Sequence, residues 1–181
     1  MDGRIDAIID GGECSVGVES TIIDMSGEKP VILRPGGITY AQLKKILPNV
    51  EIDRHILKSI EKNEAPKCPG MKYKHYAPDA EVYVVEGEKG RAEEKIRQCI
   101  KENSDKRVGV ISIGDADYDA QLVLQVDNNN VDYANKLFDY LREFDKQKID
   151  IVFAEFSIED DYALAVKNRL YKSAANRIIR V

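Results

Sequence analysis

No apolar run in this 181-residue sequence can cross a bilayer: the longest, around residues 149–156, is under half of the roughly 20 residues that a spanning helix needs. The amino end, Met1-Asp2-Gly3-Arg4-Ile5-Asp6, is acidic and mixed, so it is no signal peptide. Cysteine is scarce and scattered. Cys14, Cys68 and Cys99 have no close Cys or His partners, which excludes a disulfide framework or a zinc site and points to a reducing, cytoplasmic compartment. Surplus positive charge is missing too. The net charge of −5 argues against a general nucleic-acid coat and leaves room only for a local basic patch. Internal repeats, low-complexity tracts, a P-loop and a dinucleotide fingerprint are all absent. What remains, 43% hydrophobic and 33% charged residues, is the composition of an ordinary globular chain.

The chain reads as three stretches. Residues 1–47 hold two β-rich runs, 19–25 and 30–34, with Ser26-Gly27-Glu28-Lys29 between them as a hairpin turn. Thr39 then caps a short helix, with Gln42 three residues on and Leu43, Ile46 and Leu47 as its apolar stripe. Residues 48–78 hold four of the six prolines and read as an interdomain linker. A brief helix is expected there over 53–62, with His55 on its solvated face, followed by a basic and aromatic second half. Residues 79–181 alternate strand and helix: strands at 81–86, 107–113, 122–126, 149–156 and 177–181, helices at 89–102, 131–144 and 160–175. Continuously apolar strands separated by helices predict a mostly parallel sheet covered on both faces, a small Rossmann-like, three-layer α/β/α domain.

Candidate chemistry lies in the first stretch. Gly11-Gly12, Gly17, Val18-Glu19-Ser20-Thr21 and Arg34-Pro35-Gly36 put small residues, hydroxyls and one arginine at strand ends. Glycine lets a ligand approach the backbone, and arginine offers a planar fork of donors to carboxylate or phosphate. The bland alternative gives the glycines to turns and Arg34 to a surface ion pair.

Three segments together carry a resemblance. They are residues 2–12 with 17–24, then Ile32-Leu33-Arg34-Pro35-Gly36, then Pro69-Gly70-Met71-Lys72-Tyr73-Lys74-His75-Tyr76-Ala77-Pro78. The chain resembles the Sua5 branch of the Sua5/YrdC/YciO family, the L-threonylcarbamoyladenylate synthases, and Asn168-Arg169-Leu170 resembles the end of that family's C-terminal domain. The resemblance implies that residues 1–47 are the C-terminal part of a YrdC-like α/β catalytic domain and 79–181 the Sua5 domain. It implies a reaction of ATP, L-threonine and bicarbonate to threonylcarbamoyl-AMP and pyrophosphate. The threonylcarbamoyl group then reaches tRNA through partner transferase proteins. By the same resemblance Ser20 and Thr21 bind threonine, while Arg34, Tyr73, His75 and Tyr76 bind ATP. Magnesium would arrive with ATP, with no tightly bound cofactor and no metal held by the protein itself.

The family's Lys-x-Arg and Ser-x-Asn motifs do not occur in residues 1–47, the stretch matched to the catalytic domain. The expectation is therefore a segment lacking the N-terminal catalytic part, inactive alone, with a homodimer as one way to cover its unpaired strands. The rival expectation is a non-catalytic regulatory or interaction module built on the C-terminal domain. Asp115-Ala116-Asp117 reads as a solvated turn or cap rather than a cation site, and Asn128-Asn129-Asn130 as a turn into a helix cap.

Overall fold

The computed structural model describes residues 3–12, 14–58, 66–69 and 77–181. Residues 3–12 have no regular structure, and Ile5, Ile8 and Ile9 in them are exposed. The first sheet has three strands in the order β1-β2-β3: β1 (Ile22–Asp24), β2 (Val31–Arg34) and β3 (Glu51–Ile52). β1 and β2 pair antiparallel across the expected turn. Asp24 Oδ1 accepts from both the amide and the hydroxyl of Ser26, and those hydrogen bonds hold its carboxyl below the usual carboxylate range. The register shifts by one between Ile22 and Ile23, so Ile22 faces Arg34 while Ile23 faces Ile32, and Leu33 is the extra residue. Such bulges bend a strand and re-aim its side chains.

α1 (Tyr40–Ile46) starts as its sequence dictates: Thr39 Oγ1 accepts from the Gln42 amide and Gln42 Oε1 accepts from the Thr39 amide. Its Leu43 packs with Ile32, Val50 and Ile56 into a small core. The stretch read as linker thus supplies both a strand, parallel to β2, and core side chains. The expected helix there is only a 3-10 turn over Arg54–Ile56, and residues 59–62 of it lie outside the described set. His55 is not on a solvated face. It is 8% exposed, with Nδ1 2.8 Å from Asp53 Oδ1, and the same oxygen accepts from the His55 amide. An Asx-type cap, not helical periodicity, decides that turn.

The second sheet has five strands in the order β6-β5-β7-β4-β8, every pairing parallel. They are β4 (Glu81–Glu86), β5 (Val108–Ile113), β6 (Leu122–Val126), β7 (Ile151–Phe156) and β8 (Ile178–Arg180). α2 (Lys89–Glu102) covers one face through Ala92, Ile96 and Cys99 against Val85, Val110 and Phe153. α3 (Asn130–Lys146) and α4 (Ala163–Ser173) cover the other through Tyr133, Leu137, Val166 and Leu170 against Val84, Ile111 and Ala154. Right-handed crossovers require this arrangement. The chain moves towards the β6 edge on the α2 face and returns on the α3 and α4 face. β7 begins two residues later than its apolar run because Ile149 closes α3, donating its amide to Phe144 O after Lys148 turns at φ 51. Arg107 adds hydrogen bonds to the Gln147 and Lys148 carbonyls, completing that helix end.

Candidate functional site

The residues expected to bind substrate meet at the end of the first hairpin. Arg34, at the end of β2 beyond the bulge, donates from Nε to Ser20 O at 2.9 Å and from Nη2 to Ser20 Oγ at 3.1 Å. The fork is thereby fixed on one exposed serine, and among the described residues it forms no ion pair. Thr21 is used differently. Its Oγ1 donates to Ile38 O at 2.7 Å and accepts from the Ile38 amide at 3.1 Å, tying β1 to the loop that follows β2. Gly36 lies where those two backbones touch: a Cβ there would sit 2.1 Å from Glu19 O and 2.6 Å from the Thr21 amide nitrogen. No other residue type fits without moving a strand end.

Cys68 packs behind this wall, buried with Leu33, and its thiol lies 3.8 Å from Leu33 O. Burial pushes that thiol up, against the opposing pull of Arg34, Lys172 and Arg169. Lys172 is pulled below the usual lysine range by its own burial and then by Arg169. Positive groups from β2 and α4 therefore gather round the segment that enters the basic linker, an arrangement suited to a phosphate-bearing ligand. Tyr73, His75 and Tyr76, the other expected nucleotide contacts, lie outside the described residues.

Sequence reasoning missed Arg169, which is 6% exposed and comes from α4. Nε donates to Glu19 Oε2 at 2.5 Å and Nη2 to Pro35 O at 3.1 Å, while Nη1 reaches Asn168 Oδ1. A signal existed: a charged residue in a helix turn that is otherwise buried needs a partner. Its identity, 150 residues away, had no local trace. The carboxyl ends of the parallel strands hold a second group of polar residues. Glu155 on β7 is wholly buried, with Oε2 accepting from the Ile113 amide at 3.0 Å and Oε1 lacking a hydrogen-bond partner among the described residues. At the far end of α2, a cavity of about 570 Å³ is lined by Arg97, Lys101, Tyr118 and Asp119, and it includes none of Ser20, Thr21 or Arg34. Among the described residues, no group of three His, Cys, Asp or Glu side chains could hold a metal ion, and no helix is long and apolar enough to cross a membrane.

Comparison with known proteins gives the family. Residues 38–175 match the family model described as threonylcarbamoyl-AMP synthase, C-terminal domain, and residues 1–36 match one described as telomere recombination. The chain is 42% identical over 99% of its length to a threonylcarbamoyl-AMP synthase of Pyrococcus abyssi, and 38% identical over 99% to one of Bacillus subtilis. It spans about half of these relatives, 52% of each. The crystal structure of P. abyssi Sua5 complexed with L-threonine superposes with a TM-score of 0.90 at 42% identity, covering 99% of this chain and 52% of that one. With the C-terminal domain model matched by residues 38–175, most of the chain, and the fold reproduced, the chain belongs to the Sua5 family of threonylcarbamoyl-AMP synthases.

Proposed function

We propose that this chain supplies one wall of the active site and the C-terminal domain of an enzyme that makes threonylcarbamoyl-AMP and pyrophosphate from ATP, L-threonine and bicarbonate. The observation that carries the reading is the likeness, at 42% identity over 99% of the chain, to a Sua5 solved with L-threonine. Ser20, exposed and held in place by Arg34, orients the threonine, and Thr21 fixes the backbone beside it. Arg34 offers its fork to the nucleotide. Tyr73, His75 and Tyr76 are assigned to ATP binding.

Formation of the adenylate needs in-line attack at the α-phosphate with pyrophosphate leaving. Such a step is served by positioning and by cations against spreading negative charge. Arg34 and the neighbouring positive groups meet that need. Magnesium, held by the phosphates of ATP, supplies further charge neutralisation when bound. The product's threonylcarbamoyl group then passes through partner transferases to tRNA, in the cytoplasm. The chain spans about half of these relatives, and on this reading its 181 residues alone are not expected to turn over, the remaining phosphate contacts being assigned to the other half.

The test is pyrophosphate release with ATP, threonine and bicarbonate. It is run on the 181-residue chain and on the chain joined to the N-terminal half of a relative. Release by the joined protein and none by the chain alone is the expected pair of results. No release by a folded joined protein, with every substrate present, removes the reading. A homodimer formed along the free edge of β1 is also proposed, and sedimentation of the chain at micromolar concentration decides it.

A further inference from the structure

We infer that Arg169 makes the C-terminal domain a clamp on the substrate wall, and that it acts as a positioning residue for Ser20 and Arg34. This rests on the reading of Ser20 and Arg34 as substrate-binding residues. The two atoms it grips stand on either side of the pair: Glu19 immediately precedes Ser20, and Pro35 immediately follows Arg34. Ser20 and Arg34 are themselves bonded to each other at two points. The guanidinium therefore bridges the two strand ends, and Arg34 ties them a second time. Both bonds come from a side chain that is 6% exposed, where a missing partner is costly and the geometry is therefore strongly specified.

The clamp also reaches the linker. Asn168, next to Arg169 and itself buried, donates from Nδ2 to Ile56 O, the last residue of the 3-10 turn, and its Oδ1 accepts from Arg169 Nη1. One turn of α4 thus holds both strand ends of the wall and the beginning of the linker. Leu164, on the same helix, packs against the Ile32, Leu43, Val50 and Ile56 core, so the helix is seated where the wall needs it. A domain serving only as a separate module would not send its buried cation into the other part's backbone.

The experiment uses the 181-residue chain as wild type, Arg169→Ala, Arg169→Lys and Glu19→Gln. Amide exchange of Ile38, which is held by Thr21 Oγ1, reports on the wall, and exchange of Val110 and Ile111 in β5 reports on the C-terminal sheet. In Arg169→Ala, Ile38 should exchange at least about tenfold faster while Val110 and Ile111 do not change, the scale set by losing buried charge-assisted bonds. Arg169→Lys should fall between, because an ammonium can keep Glu19 but not the fork to Pro35. Glu19→Gln should move in the same direction as Arg169→Ala. Unchanged exchange at Ile38, or equal acceleration at Ile38 and in β5, overturns the clamp.

L-Threonine titration by calorimetry, with the same substitutions carried in the chain joined to the N-terminal half of a relative, gives the second readout. Affinity in Arg169→Ala should fall about tenfold, with partial recovery in Arg169→Lys. Equal threonine affinity in wild type and Arg169→Ala overturns the positioning role. A wild type that shows no threonine binding counts against the proposed function, and the exchange result still decides the clamp.

Discussion

Glu155 is the buried carboxyl whose protonation falls near neutral pH. Burial, followed by the nearby Glu93, pushes its carboxyl up to about 7. Its ordinary value is near 4.5, so between those limits the folded chain holds a proton that the unfolded chain has released. Stability from this group is thus complete below about pH 4.5 and is lost as pH rises through about 7, by about 3 kcal/mol from 2.5 units at 1.36 kcal/mol each. Glu155→Gln keeps an acceptor for the Ile113 amide without the charge. The stability difference between wild type and variant, measured by urea unfolding from pH 4.5 to 8, should swing by that amount. A flat difference would show that the carboxyl ionises no differently on folding. Arg34 makes the residue-scale case for function. In the joined protein, Arg34→Ala should weaken nucleotide binding or turnover by about 2–4 kcal/mol, and Arg34→Lys should recover only part. Because Arg34 is bonded to Ser20, the same change should also raise the threonine requirement, whereas a purely structural arginine would lower the melting temperature and leave nucleotide affinity intact.

Elements show where sequence reasoning succeeds. α2 spans the residues its periodicity predicts, Lys89–Glu102, and β4 and β6 match equally well, because each is long enough to display its period in local sequence. The capping box at Thr39 was legible for the same reason, since both partners lie within one turn. What was not legible is long-range or very short. β3 has two residues and exists only because β2 offers it an edge, and His55 is buried by an Asp two positions away rather than by any helix. Within the candidate site, Ser20 and Arg34 were named from the sequence, yet their mutual bond and the structural use of Thr21 depend on the bulge at Leu33. Gly36 gives this scale its prediction. Gly36→Ala pushes a methyl into Glu19 O and the Thr21 amide, so it should destabilise the first sheet by at least about 2 kcal/mol. Thr39→Ala, which loses only a cap, should cost about 1 kcal/mol. Chemical denaturation of the two variants ranks them, and a smaller loss for Gly36→Ala would contradict the close approach.

At the scale of the whole molecule, two sheets of unequal size share one helix. The five-stranded sheet, buried on both faces, should contain the slowest-exchanging amides, at Val110, Ile111, Val152 and Phe153. The three-stranded sheet should open earlier, because it is small and β1 is an edge strand among the described residues. Mass-spectrometric hydrogen exchange resolves the two, and equal protection would mean that the chain unfolds as a single unit. The bond between Arg169 and Glu19 also sets a schedule for synthesis. Glu19 leaves the ribosome 150 residues before the partner that anchors it, a wait of roughly 10–30 s at ordinary translation speeds. Through that interval the first hairpin is in the cell without its anchor. A pause late in the message, or a stop codon before α4, would leave that hairpin for chaperones and proteases to find.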